Sequence, residues 1–196
     1  MKEARIGLLT GPVGVGKTTV AERVVGLAQR QGLVCGGVLA PAMVNSCGQK
    51  VGIWGVELGT GERRILARTD RNLDGPSIGP YSFDARALAW AAGAVDRSIG
   101  ACDLLVVDEI GKLELWRGIG LAPVLSRLAA GDAERALILV RDSLKSELQA
   151  RLAPVNQVIF RVHEENRGAL APGILSELMK SRETSHPEEG GAPIEL

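Results

Sequence analysis

The part of the sequence with the clearest chemistry is a glycine-rich run that ends in a lysine and two threonines. Its residues are Gly11, Pro12, Val13, Gly14, Val15, Gly16, Lys17, Thr18 and Thr19. The run fits the pattern G-x-x-x-x-G-K-[ST], in which the glycines let successive backbone N–H groups face phosphate oxygens. We predict that it binds the phosphates of a nucleotide, with Lys17 reaching the β- and γ-phosphates and Thr18 offering its hydroxyl to Mg²⁺. The alternatives are an ordinary glycine-rich turn and a nucleotide switch without fast turnover.

Two adjacent acids, Asp108 and Glu109, follow the apolar residues 104–107. Open α/β sheets bind their ligands at the carboxyl ends of the strands, so we expect both carboxylates near the phosphates. Asp108 is suited to hold a Mg²⁺-bound water, and Glu109 to orient and deprotonate the attacking water. The alternative for Glu109 is a helix cap or a surface ion pair with a lysine. A base placed for water favours hydrolysis.

Three weaker signals lie close to this acidic pair or after another strand. Lys112 either lies over the phosphates and stabilises developing charge, which makes it a catalytic candidate, or pairs with Glu114 at the surface. Arg141 follows an apolar strand and either contacts the γ-phosphate or pairs with Asp142 or solvent. The tryptophans are predicted to be partly buried core residues and not platforms for a base. They are Trp54, Trp90 and Trp116.

Strand and helix patterns alternate along the chain and place these residues at the ends of strands. Predicted strands cover residues 5–10, 33–40, 103–108, 136–140 and 157–162. Predicted helices cover residues 17–30, 83–99, 121–130, 143–152 (capped by Ser143) and 167–180. Residues 51–67 alternate as a β-hairpin does, and residues 71–80 are predicted to be a surface loop. The pattern predicts a three-layer α/β fold: a mostly parallel sheet with helices on both faces and a β-hairpin insertion.

Length and composition set the wider limits. The chain has 196 residues, with 23 basic and 23 acidic side chains. We expect a single domain over residues 1–180 and a disordered tail over 181–196, which is too polar to fold by burial. The zero net charge argues against a general nucleic-acid binder. No run is apolar enough for a secretion signal or a membrane span, so we expect a cytoplasmic protein and predict no membrane partner.

A family resemblance rests on two strings, GPVGVGKTT at residues 11–19 and VVDEIGKLEL at residues 106–115. Together they resemble the THEP-type, cancer-related nucleoside-triphosphatases. Gly79-Pro80-Tyr81 is similar to a G-x-Y segment of that family, and residues 162–172 are similar to its ENR stretch. The likeness spans about residues 5–180. It weakens at residues 38–58, so the substrate or partner selected by that region is expected to differ.

This resemblance implies a P-loop fold and a Mg²⁺-dependent hydrolysis of ATP, GTP and other nucleoside triphosphates, with broad base tolerance and slow turnover. It also implies that Asn166 and Arg167 lie near the base or ribose, where a planar guanidinium stacks well. The alternative is that Asn166 is a cap and that Arg167 starts a helix.

Two other functions remain open at this stage. A P-loop nucleotide or nucleoside kinase would use residues 41–80 to bind a phosphoryl acceptor, although the sequence has no evident arginine-rich lid. A GTP-dependent switch or loading factor would carry an N/T-K-x-D guanine signature, which the sequence does not contain. The sequence predicts a nucleoside triphosphate as the binding partner and makes no prediction of a protein partner.

Overall fold

The computed structural model describes residues 4–180. Ten strands form one sheet, and the first strand lies inside it, between the last two strands of the described chain. The strands are β1 (Arg5–Gly11), β2 (Cys35–Leu39), β3 (Ala42–Val44), β4 (Lys50–Glu57), β5 (Arg63–Arg68), β6 (Asp74–Ile78), β7 (Tyr81–Asp84), β8 (Leu104–Ile110), β9 (Arg135–Arg141) and β10 (Asn156–Arg161). The helices are α1 (Lys17–Arg30), α2 (Ala85–Ser98), α3 (Lys112–Arg117), α4 (Ala122–Ala129), α5 (Lys145–Arg151) and α6 (Leu170–Met179), with a 3₁₀ turn at Asp142–Leu144.

One half of the sheet is parallel, in the order β10-β1-β9-β8-β2. Its strands are apolar runs because helices cover both faces. Side chains of β1 alternate between the two faces, so that Leu9 packs with α1 and α6 while Leu8 packs with α2 and α4. The predicted α/β fold, with a mostly parallel sheet and helices on both faces, is confirmed for this half. Its strands all end at one edge, where the predicted site residues lie.

The other half is an antiparallel extension in the order β4-β5-β7-β6, joined to β2 through β4. The predicted hairpin is confirmed as β4 and β5, and β3 pairs with β4 on a side branch. The predicted surface loop over residues 71–80 is wrong, because β6 pairs with β7 there. Gly75 and Pro76 lie where the register between these strands shifts, and β6 is an edge strand, which tolerates proline.

Several smaller predictions are also corrected. Helix α3 was not predicted, because its six residues are too few for a clear periodic pattern. Ser143 lies within the 3₁₀ turn and does not cap α5, whose N-cap position is Leu144. Helix α6 starts at Leu170 and not at Arg167, since hydrogen-bonded turns occupy the residues before it. The predicted tail over residues 181–196 lies outside the described residues. Within residues 4–180, none of the helices has the length and apolar character needed to span a bilayer.

Candidate active site

The glycine-rich run at residues 11–16, here called the phosphate loop, connects the end of β1 to the start of α1, as predicted. Gly14 and Gly16 have φ angles of 81° and 102°, a left-handed conformation that side chains with a Cβ rarely adopt. Within the described chain, no side chain caps the N-terminus of α1, and its first turn contains no acid. The free N–H groups and the positive end of the helix dipole are therefore available to an anion at this loop.

Lys17, the first residue of α1, folds back over the loop. Its Nζ donates hydrogen bonds to the carbonyl oxygens of Gly11, at 3.0 Å, and Pro12, at 3.1 Å. Burial lowers the pKa of Lys17, while the nearby carboxylates of Glu109 and Asp108 raise it. The ammonium thus lies beside the loop, near the predicted catalytic base Glu109 and the predicted metal ligand Asp108, where it can meet phosphate oxygens.

Asp108 is 5% exposed and lies at the carboxyl end of β8. Its carboxylate accepts a hydrogen bond from the backbone N–H of Ala40, at 3.0 Å. Desolvation raises the pKa of Asp108 to about 6, although the Ala40 N–H and the nearby Thr18 hydroxyl oppose this shift. The two predicted metal ligands, Thr18 and Asp108, therefore line the same cleft.

This donor pair fits a magnesium ion. Magnesium prefers hard oxygen ligands and is usually held by one or two protein groups together with phosphate oxygens and water. Within residues 4–180, the structure contains no cluster of three or more His, Cys, Asp or Glu residues that could hold a metal by itself. A cation at Thr18 and Asp108 would therefore need a nucleotide and water to complete its coordination.

Glu109 forms an ion pair with Arg141, with the Nε of Arg141 at 3.0 Å from Oε1 of Glu109. The pair joins the ends of the neighbouring strands β8 and β9. The pairing of Arg141 with Asp142, one of two open alternatives, does not occur. Asp142 instead accepts a hydrogen bond from the Thr10 hydroxyl at 2.7 Å and lies 3.5 Å from Arg161. Arg141 therefore lines the cleft of the phosphate loop while it is paired with Glu109.

These groups line one cleft, here called the phosphate cleft. Its volume is about 1010 Å³ with its open mouth included. The residues that line it are Val13, Gly14, Gly16, Lys17, Thr18, Thr19, Glu22, Ala40, Pro41, Ala42, Lys50, Asp108, Glu109 and Arg141. Sequence reasoning missed Lys50, on β4, because its position depends on the pairing of β4 with β2 and with β3, where Lys50 lies opposite Val44.

Lys112 lies outside the phosphate cleft. Its Nζ is 4.8 Å from the centre of the Trp116 ring, a cation–π contact on the surface of α3. The alternative pairing with Glu114 does not form, since that buried carboxylate accepts hydrogen bonds from the backbone of Gly111 and Leu121. The prediction that Trp116 is a partial core residue is wrong, because it is 59% exposed.

Asn166 and Arg167 have different surroundings. Asn166 braces a turn: its Oδ1 accepts from the backbone N–H of His163 at 2.8 Å, and its Nδ2 donates to the carbonyl of Arg161 at 2.9 Å. The side chain of Arg167 lies beside the phosphate loop, with its Cδ 3.6 Å from where a Cβ would stand on Gly16. The structure therefore brings Arg167 to the phosphate loop and gives Asn166 a structural role in the turn.

The profile of the family described as NTPase matches residues 7–175. Proteins named nucleoside-triphosphatase THEP1 are similar along most of the chain. The one from Methanopyrus kandleri is 31% identical, covering 88% of this chain and 94% of that protein. The one from Thermococcus kodakarensis is 34% identical, covering 88% and 93% respectively.

Among solved structures, the crystal structure of THEP1 from Aquifex aeolicus superimposes with a TM-score of 0.68 at 18% sequence identity. The match covers 89% of this chain and 99% of that one, so it shows the same fold. The family profile spans the phosphate loop and the acidic strand end, and the identity to the relatives extends beyond these motifs. The chain therefore belongs to the NTPase family, of the THEP1 type.

Proposed function

We propose that the protein is a Mg²⁺-dependent nucleoside-triphosphatase that hydrolyses ATP, GTP and other nucleoside triphosphates to the diphosphate and phosphate. One observation carries the proposal: an uncapped helix N-terminus, a lysine, a threonine–aspartate pair and a glutamate line a single cleft. Relatives along most of the chain are named nucleoside-triphosphatases, which supports the same reaction type.

In this proposal the backbone N–H groups of the phosphate loop and the ammonium of Lys17 bind the β- and γ-phosphates. Lys17 gives up its two carbonyl contacts, to Gly11 and Pro12, for phosphate oxygens of higher negative charge. Thr18 and Asp108 would hold Mg²⁺. When bound, this ion neutralises charge on the β- and γ-phosphate oxygens.

Glu109 orients a water molecule and accepts its proton as the water oxygen attacks the γ-phosphorus. In the free protein the Glu109 carboxylate is paired with Arg141. A γ-phosphate carries more negative charge than a carboxylate and attracts the guanidinium, so binding of substrate releases Glu109 for catalysis. Arg141 then stabilises the charge that develops on the transferred group.

The surroundings of Arg167 support the proposed base tolerance. A guanidinium stacks on any base by its flat face and does not read the edge that distinguishes adenine from guanine. The amide group of Asn166, which does have donors and acceptors suited to a base edge, is already bonded on both sides. We propose that Arg167 contacts the base or ribose and that the site accepts several bases.

Three further predictions made from the sequence belong to the proposal. We propose a single catalytic domain over residues 1–180, because one sheet carries both the cleft and the antiparallel extension. A cytoplasmic location stays a prediction. A catalytic role of Lys112 would require its ammonium to leave the Trp116 ring on substrate binding.

The test is to measure phosphate release from each nucleoside triphosphate with and without Mg²⁺. We expect release from all of them, abolition by a chelator, and restoration by added Mg²⁺. In Thr18→Val the Mg²⁺ concentration for half-maximal activity should rise at least about tenfold. Thr60→Val is the matched control, because the Thr60 hydroxyl bonds to Glu57, away from the cleft. Tight binding of GTP alone without phosphate release would contradict the proposal and favour a switch.

A further inference from the structure

A second cavity, here called the apolar pocket, lies beside the phosphate cleft between the antiparallel extension and helices α2 and α3. It encloses about 700 Å³ with its open mouth included. Each strand of the extension contributes to its wall: Ile53 from β4, Leu66 from β5, Ile78 from β6 and Phe83 from β7. Leu88 of α2 and Leu113 of α3 close the other side.

The apolar pocket and the phosphate cleft meet at the acidic end of β8. Both are lined by Ala40, Asp108, Glu109 and Arg141. The proposed catalytic base thus faces the space where the γ-phosphate would lie and also a space with apolar walls. A molecule in the apolar pocket would have its polar end at Glu109 and Arg141, and its apolar part among the aliphatic and aromatic side chains.

An apolar pocket of this size is unusual for a well-packed protein. Protein interiors are close-packed and leave few voids larger than a water molecule. Ligand sites, in contrast, are typically concave and mainly apolar, with a few polar groups that fix orientation. Hydrolysis of a triphosphate needs only a water molecule at Glu109 and does not require apolar walls around it. The pocket is therefore suited to a second substrate.

We propose that the apolar pocket binds a small alcohol with an apolar body, whose hydroxyl replaces water at Glu109 and accepts the γ-phosphoryl group. The inference rests on the proposed nucleotide site. The hydroxyl oxygen forms a bond to the γ-phosphorus, and the bond from that phosphorus to the bridging β-oxygen breaks. Its electron pair leaves with the nucleoside diphosphate. The hydroxyl proton passes to the Glu109 carboxylate, so the products are a phosphate monoester and the diphosphate.

The size and polarity of the pocket set the class of acceptor. Its charged lining residues come from β8, β9 and α3, and its other walls are apolar. A sugar or a base, which has polar groups on several sides, would bury some of them unpaired against those apolar walls, and this is unfavourable. The charged residues are Asp108, Glu109, Lys112, Glu114 and Arg141. The acceptor expected here therefore has one ring or one short branched chain and a single terminal hydroxyl. This distinguishes it from the acceptors of nucleoside kinases.

The test follows Mg²⁺-ATP by phosphorus NMR in the presence of benzyl alcohol, cyclohexylmethanol or 3-methylbutan-1-ol. Toluene, methylcyclohexane and 2-methylbutane serve as controls that lack the hydroxyl. We expect a phosphate monoester signal beside inorganic phosphate with at least one alcohol. Phosphate release from ATP alone reports the proposed function separately from the ester, so failure of the inference can be distinguished from failure of the proposed function.

Variants that fill the pocket locate the reaction. Ala91→Leu, on α2, places a larger side chain in the pocket, and Ile78→Phe does so from the edge strand in case the first variant does not fold. Each should lower the ratio of ester to inorganic phosphate about tenfold, with phosphate release from ATP alone unchanged. Ala89→Leu is the matched control, since Ala89 is exposed on the same helix.

Three results would overturn the inference. The first is the absence of ester with all three alcohols while phosphate release is normal. The second is an equal yield of ester in wild type, Ala91→Leu and Ile78→Phe, because the alcohol would then react from the phosphate cleft. In the third, alcohols and their hydrocarbon controls change phosphate release equally without ester, and the pocket would be an effector site.

Discussion

The two halves of the sheet contribute different parts of the site. In the parallel half, strands far apart in the chain end side by side and bring Lys17, Asp108, Glu109 and Arg141 together. The antiparallel half instead provides walls: its side chains surround the apolar pocket. The reaction centre is therefore built by one half, and the space beside it by the other.

Two buried acids illustrate the difference. Glu57, in the antiparallel half, is 6% exposed and is bonded to Arg97 at 3.1 Å and to the Thr60 hydroxyl at 3.0 Å. Asp108, in the parallel half, is 5% exposed and accepts a hydrogen bond from a backbone N–H. Glu57 has a charged partner, whereas no residue within 4–180 forms an ion pair with Asp108, which is therefore suited to a bound cation.

Glu109→Gln tests the reaction centre most severely. The amide keeps the size of the side chain but cannot take a proton from water, so kcat should fall about 10²- to 10⁴-fold. Affinity for the triphosphate should change little, which equilibrium binding to the purified variant measures. A fall in kcat of less than about tenfold would assign the base to another residue.

Arg141→Ala should lower kcat roughly 100-fold, because it removes a donor to the transferred group. It should also reduce the preference for triphosphate over diphosphate, measured by calorimetry with a non-hydrolysable analogue. Arg161→Ala is the matched control, since Arg161 pairs with Asp142 and lies outside the lining of the phosphate cleft. Equal effects of the two substitutions would contradict a direct role of Arg141.

Asp108→Asn should stabilise the free protein at neutral pH. The pKa of Asp108 is about 6 in the folded state against 3.8 unfolded, so the folded state binds its proton more tightly. The free energy of unfolding therefore falls as the pH rises between these values. Well above pH 6 the carboxyl is ionised in both states, and the loss of stability is complete. The variant removes this cost, at most about 3 kcal/mol.

The gain should be complete near pH 7.5 and absent near pH 4, as measured by urea unfolding without nucleotide. With Mg²⁺ and a triphosphate analogue present, the order should reverse, since wild type binds the ligand and is stabilised by it. A variant that is less stable than wild type at pH 7.5 without ligand would contradict this account of Asp108.

Glu57→Ala tests the antiparallel half and should have the smallest effect on catalysis. It leaves Arg97 and Thr60 without their partner and should lower the free energy of unfolding by about 1–3 kcal/mol. Phosphate release per folded molecule should stay within about twofold of wild type. A larger change in kcat would show that the two halves are not separate in function.

The phosphate loop and the acidic strand end could be predicted from sequence because local motifs determine them. The glycines and Lys17 are adjacent in the chain, and Asp108 ends an apolar strand that any parallel sheet would place at the same edge. Arg141 was a weaker prediction, since its partner depends on which strand lies next to β9. The structure pairs it with Glu109, through the neighbouring β8.

The apolar pocket could not be predicted in this way. Its walls come from β4, β5, β6 and β7, which contact one another through long-range pairing. The edge strand β6 contains Gly75 and Pro76, which favour a loop when read locally. Asn166 was assigned a place near the base by resemblance, but its role in the turn depends on the carbonyl of Arg161 and the backbone of His163.

The backbone of Ala40 gives this architecture a thermodynamic consequence. Ala40 lines both spaces, and its N–H holds the Asp108 carboxylate. A ligand in the apolar pocket that shifts this amide would change how Asp108 coordinates a cation, and hence the affinity for the triphosphate. Linkage is reciprocal, so the nucleotide must change the affinity of the apolar pocket for its ligand by the same factor. Such an enzyme would bind its two ligands cooperatively or antagonistically, and the Ala40 amide would be one of the groups that transmit the coupling.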